Sequence, residues 1–214
     1  LLLMLIGGRV IPSFTRNWLA RENPGRLPAP FAMFDAVAIA LSACALVLWI
    51  LLPFEAMSAA ALFTAGVLHV VRLSRWAGDR TLRDRLVLVL HVAYVFVPLG
   101  FLLVALAALE IVLPAAGVHA WMVGAAGMMT LAVMTRATLG HTGRALAASL
   151  GTQAIYAGIL VAAIARVMAA LKPEWSLPLL HVSALAWVAA FGGFGVLYGP
   201  MLLRHRPDAK PRAA

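Results

Sequence analysis

The sequence predicts an all-α integral membrane protein: a bundle of about six transmembrane helices, preceded by the end of another. Three observations predict it. Of 214 residues, 64% are hydrophobic and 12% are charged, where a soluble domain carries roughly 25% charge. Mean hydropathy over the whole chain is +0.96, which leaves too few polar residues to coat a soluble core. The basic residues gather in short clusters between long apolar runs.

Each element follows from the thickness of the bilayer. A spanning helix needs about 20 mainly apolar residues, because the hydrocarbon layer is roughly 30 Å thick and a helix rises about 1.5 Å per residue. The chain opens Leu1-Leu2-Leu3-Met4-Leu5-Ile6-Gly7-Gly8 without an initiator Met or a basic start, unlike a signal peptide. Eight apolar residues before Arg9 are too few to cross, so residues 1–12 read as the end of a truncated transmembrane helix. Residues 13–203 read as the six-helix bundle, and 204–214 as a basic cytoplasmic tail. The expected spans run over 31–54, 56–73, 86–109, 117–135, 146–170 and 177–203, separated by Pro53, Pro114, Gly140, Gly143 and Lys172-Pro173. The second is the shortest, with a charge-free core from Ala56 to Val71. Gly192, Gly193 and Gly195 in the last span suit close helix approach, as small residues do in membranes.

Charge orients the bundle. Arg9, Arg16, Arg21 and Arg26 fall on the same side as Arg72, Arg75, Arg80, Arg83 and Arg85. Arg136, Arg144, Arg204, Arg206, Lys210 and Arg212 join them, and only Arg166 and Lys172 lie opposite. Basic loops stay cytoplasmic. The formal charge of +9 and pI near 11.3 therefore reflect topology. A nucleic-acid binder would show a basic patch outside such loops, and none occurs. No Ser-His-Asp set, paired carboxylates, P-loop or dinucleotide fingerprint supports a hydrolase or nucleotide-dependent enzyme. The single Cys44 lies within a span, so neither a disulfide framework nor a cysteine metal site is available.

An ionisable side chain within a span is the natural place to seek function. His69 and His91 both lie roughly 6–8 Å inside the cytoplasmic boundary, on consecutive antiparallel helices. Two facing imidazoles at one depth are how a bundle holds haem or a transition metal. Arg9, Arg16, Arg72 and Arg136 form a basic rim where propionates would emerge. His119 and His181 open their helices at the outer boundary as a second potential pair. Met122, three residues after His119, adds a soft ligand suited to reduced copper. The plainer reading of each histidine is a hydrogen bond to a neighbouring helix, and of each methionine a core gap filler. Asp35 stands where a helix N-terminus favours a carboxylate. Gln153 and Tyr156 share a face and are expected to bond across helices.

Two inner-face segments carry a resemblance. They are Gly7-Gly8-Arg9-Val10-Ile11-Pro12-Ser13-Phe14-Thr15-Arg16-Asn17 and Met134-Thr135-Arg136-Ala137-Thr138-Leu139-Gly140-His141-Thr142-Gly143-Arg144. With Leu68-His69-Val70-Val71-Arg72-Leu73, Leu90-His91-Val92-Ala93-Tyr94 and His119-Ala120, they resemble the NnrS family over Gly7 to about Arg204. The resemblance implies a bacterial inner-membrane protein of about twelve spans, of which this chain would be the C-terminal half. It implies haem and copper as cofactors and a role in the response to nitric oxide and nitrosative stress, without a known reaction. Arg9, Arg16, Arg136, His141 and Arg144 carry over as motif positions. They either anchor a cofactor or build the helix exit and a capped turn. Partners expected on this reading are the lipid bilayer, haem, copper and the remaining half of the chain. Two alternatives stay open: a membrane transporter or carrier of a metal or metal complex, and an assembly factor for respiratory oxidases.

Overall fold

The computed structural model describes residues 1–203. The expected basic tail, with His205, lies outside them. Among the described residues six helices are long and apolar enough to cross a membrane, and the chain is an all-α, multi-pass membrane protein.

The first helix, α1 (Leu2–Glu22), does not stop at Pro12 but passes through it. Ile11, Thr15 and Leu19 recur every fourth residue and are all buried on the face packed against the bundle. That packing holds the helix past the donor that proline lacks. The next helix, α2 (Met33–Leu51), starts where Asp35 folds back to accept from the Ala32 N–H at 3.0 Å, and ends just before Pro53. The short second span is helical as α3 (Ala56–Ser74).

A left-handed Ala77 (φ 55°) and a 3-10 turn at Gly78–Arg80 lead from α3 into α4 (Arg85–Ala108). Asp84 caps α4, accepting from the N–H groups of Leu86 and Val87 at 2.8 and 3.3 Å. The fourth span is composite. It begins with α5 (Pro114–His119), widens into a π-helical segment over Ala120–Gly127, and continues as α6 (Met128–His141). Expected to end near 135, it runs on to His141, so Arg136 and His141 sit on helix and not in a loop. It closes with Gly143 at φ 70°, Gly143 N–H to Gly140 O at 3.3 Å and Arg144 N–H to Leu139 O at 2.9 Å. This is a Schellman cap, so the His141-Thr142-Gly143-Arg144 motif builds a helix stop. The last two spans are α7 (Leu150–Leu171), capped by Ser149, and α8 (Ser176–Leu203).

The centre of the bundle is α4. Of its apolar window 72% is buried, against 22% for α2 and 17% for α8. It packs on α1, α3, α5, the π-helical segment and α6, and its continuous apolar sequence suits burial on every side. Lipid offers no hydrophobic drive for helices to associate, so close backbone approach carries the packing. That approach is found where α4 meets the fourth span: a Cβ on Gly117 would stand 2.7 Å from the Gly100 carbonyl oxygen. It is not found at Gly192 and Gly195, where a Cβ would meet nothing within 4 Å among the described residues; Gly193 alone meets Ile155, at 3.3 Å.

Candidate functional site

Three of the groups expected around a cofactor, His69, His91 and Arg72, lie where α1, α2, α3 and α4 meet, in two separate hydrogen-bonded chains.

The first chain centres on Arg72, expected in the basic rim at the inner edge and fully buried here. Its Nε donates to Asp35 Oδ1 at 2.9 Å. Its Nη1 donates to the Met4 carbonyl at 2.9 Å and to the Tyr94 hydroxyl at 3.0 Å. Gly8 makes room for this guanidinium, because a Cβ there would overlap Nη2. The other Asp35 oxygen takes Arg75 Nη1 at 3.4 Å besides the Ala32 N–H. So α3 is tied to α1, α2 and α4 through one side chain.

The proton positions in this chain follow from what each group can do. Arginine only donates, so the Tyr94 oxygen accepts from Arg72 and its own O–H points at His69 Nδ1, 3.0 Å away. His69 Nδ1 is then the acceptor, and its proton sits on Nε2, which donates to Ser42 Oγ at 3.0 Å. The Ser42 hydroxyl completes the chain by donating to the Ala38 carbonyl at 2.7 Å. Tyr94, His69 and Ser42 each use both a donor and an acceptor. His69 also lies parallel to Phe101, with ring centroids 5.6 Å apart. Both of its nitrogens are taken, so in this arrangement His69 has none left for a metal.

His91 lies three residues before Tyr94 on α4, yet belongs to the second chain. Its Nε2 is 2.8 Å from Thr15 Oγ1, and that hydroxyl is also 2.8 Å from the Ile11 carbonyl. A threonine has one proton to give. With that proton on the Ile11 carbonyl, His91 Nε2 is the donor and Nδ1 carries a bare lone pair. His91 Nδ1 is buried and has no hydrogen-bond partner among the described residues. Gly78 of the α3–α4 turn lies against it: a Cβ there would stand 2.5 Å from Nδ1. Only a residue without a side chain leaves the imidazole in place. His91 thus offers one free, unprotonated nitrogen, the state in which imidazole ligates a metal. It offers this singly, since His69 turns to Tyr94 and Ser42. The two histidines expected to act as a pair are brought close to the same polar region but bonded to different partners.

The basic rim is distributed in three ways. Arg9 and Arg16 are exposed and flank a groove of about 480 Å³ between α1 and the start of α2. Arg136 lays its guanidinium 4.3 Å from the ring centroid of Phe14 on α1, a cation–π contact, and keeps one buried Nη1 without a partner. His141 and Arg144 are exposed at the Schellman cap.

At the other end lie His119, Met122 and His181, on α5, the π-helical segment and α8. His181 is exposed, with Nδ1 2.8 Å from the Leu177 carbonyl of its own helix. His119 is on α5, which packs on α7, and α7 in turn packs on α8. Met122 is 60% exposed. It falls in the π-helical segment, whose i→i+5 bonding widens the turn so that residues three apart no longer stack. Among the described residues no three His, Cys, Asp or Glu side chains cluster to hold a metal ion.

Several of these positions escape sequence reasoning. Thr15, Ser42, Gly78 and Tyr94 are ordinary residues until the helices are rotated against each other. Thr15 and Tyr94 did fall within the motif segments, which was the visible signal for them. Tyr156 bonds across helices as expected, to Thr135 Oγ1 at 2.5 Å, whereas Gln153 donates locally to the Ala148 carbonyl at 3.1 Å.

No curated protein matches this chain, and no solved structure matches it either. A family model described as NnrS protein matches residues 1–206. The match takes in the Gly7–Asn17 segment that seats Arg72 and His91, the α3 and α4 histidines, and the capped turn at Gly143: the chain belongs to the NnrS family.

Proposed function

We propose that this chain is part of a bacterial inner-membrane protein acting in the response to nitric oxide and nitrosative stress, and that His91 is its haem ligand. Family membership supports the first half of the reading. The observation that carries the second is the buried His91 Nδ1, left without a partner while Thr15 holds the opposite nitrogen. A polar atom in the hydrocarbon region costs several kcal/mol unless something satisfies it. Haem, when bound, supplies an iron that takes diatomic ligands.

This chain's own residues then do the positioning. Thr15 fixes the imidazole tautomer, as an outer hydrogen bond to a metal-bound histidine does. Gly78 packs beside Nδ1 without a side chain. Tyr94 and Ser42 keep His69 out of competition for the metal. One further ligand would come from outside this set, since His69 is saturated. The basic loops, 15 against 2 in the count of Lys and Arg named above, support their placement on the cytoplasmic side.

The test is an optical spectrum of the purified full-length protein. His91→Ala should abolish or shift the haem bands, while His69→Ala should lower thermal stability and leave the bands of the folded fraction unchanged. Unaltered haem content and spectrum in His91→Ala would overturn the assignment.

A further inference from the structure

We infer that the groove between α1 and the start of α2 is a binding site for an anionic phospholipid of the cytoplasmic leaflet. It is independent of the haem reading. The groove measures about 480 Å³ and is bordered by Arg9, Ser13 and Arg16 on one side of α1. Pro28, Phe31 and Trp76 supply its apolar walls, and Asp35 lies at its base.

Charge decides the ligand's sign. Arg9 and Arg16 line the groove together with one carboxylate, Asp35, which Arg72 and Arg75 already pair. Both Asp35 oxygens are already occupied, one by Arg72 and the other by Arg75 and the Ala32 N–H. Asp35 therefore has little capacity left for Arg9 or Arg16. Arg16 is held at the rim by one bond, Nη2 to the Pro28 carbonyl at 3.0 Å, which leaves its remaining donors free. Arg9 has no side-chain hydrogen-bond or ion-pair partner among the described residues. The two arginines are seven apart on α1, two helical turns, and so share a face. The N-terminus of the 19-residue α2 adds its positive end to the same groove.

Depth and surroundings decide that the anion is carried by a lipid. The groove opens where α2 begins its span, beside Phe31 and Met33, which are 60% and 78% exposed. Large apolar side chains flanking a guanidinium pair match the junction of phosphate and acyl chain. A free phosphate would gain nothing from them. Basic pockets at the cytoplasmic boundary are where anionic head groups are held.

The experiment is native mass spectrometry of the full-length protein in detergent, titrated with dioctanoyl phosphatidylglycerol. Dioctanoyl phosphatidylcholine and inorganic phosphate are the comparison probes. Phosphatidylglycerol should be retained well above phosphatidylcholine, and excess phosphate should not displace it. Arg9→Gln with Arg16→Gln should weaken retention roughly 10–30-fold, from about 1 kcal/mol per basic residue at a membrane surface. Both residues are exposed, so the fold should persist. Ser13→Trp, which fills the groove and leaves the charges alone, should weaken it as well. Equal retention of the two lipids, displacement by phosphate, or full retention in the double variant would each overturn the proposal. Loss of the haem spectrum with unchanged phosphatidylglycerol binding would also overturn it, giving the arginine pair to a porphyrin's carboxylates. Loss of lipid binding with intact haem bands would uphold it while leaving the His91 assignment to its own test.

Discussion

Replacing Asp35 by Asn should be among the most damaging single changes in this bundle, and the geometry says by how much. The side chains of Arg72 and Asp35 are 1% and 4% exposed. Asp35→Asn leaves a buried guanidinium whose only carboxylate is gone, with the Met4 carbonyl and Tyr94 hydroxyl as its remaining partners. Breaking a buried pair in this way costs about 3–5 kcal/mol. Arg72→Met is the milder change, because Asp35 keeps the Ala32 N–H at 3.0 Å and Arg75 at 3.4 Å, and Arg75 is 27% exposed to water. Its cost should be about 1.5–3 kcal/mol, that of a lost hydrogen bond to a charged group. The double variant removes both charges from the interior, so its cost should fall below that of Asp35→Asn alone. At about 2–4 °C per kcal/mol for a chain of this size, Asp35→Asn should lower the midpoint of a detergent-solubilised thermal scan by roughly 6–20 °C. Gly8→Ala should resemble Arg72→Met, since its methyl group occupies the guanidinium's place. Fluorescence-detected size exclusion after heating would measure all four. Equal losses for the two single variants, or a double variant as damaging as their sum, would refute the assignment of Arg72 as a charge neutralised chiefly by Asp35.

Tyr94→Phe should cost about 1–3 kcal/mol, because it leaves His69 Nδ1 buried and unpaired, and should not alter haem absorption. A spectral change in that variant would mean that the His69 chain touches the cofactor after all. Reporter fusions after Arg80 and after Lys172 should report opposite compartments, the first cytoplasmic; the same compartment for both would sink the six-span orientation.

The bilayer makes much of this protein legible from sequence alone. Helix number and approximate span limits depend on local quantities: run length and hydropathy. Local chemistry likewise announced the carboxylate near the start of α2, and Asp35 does cap it. The capped turn at Gly143 was one of two readings that the motif allowed, because a Schellman cap needs only neighbours in sequence. Helix ends were less legible where packing overrides a breaker. Pro12 reads as an exit, yet Thr15 and Leu19 are held against the bundle and keep α1 helical to Glu22.

The partners of the histidines were not legible, and the reason is rotational. A helix turns by about 100° per residue, so matching depth on neighbouring helices says nothing about which side chains face each other. His69 and His91 were expected at one depth, but His69 bonds Tyr94 and stacks on Phe101, further along α4, while His91 bonds Thr15, 76 residues away in sequence. The π-helical segment over Ala120–Gly127 likewise follows a bonding pattern that hydropathy does not encode. The sequence determined that polar groups would lie buried among these helices. Only the packing of α1 to α4 decided that one imidazole is saturated and the other is left with a free nitrogen.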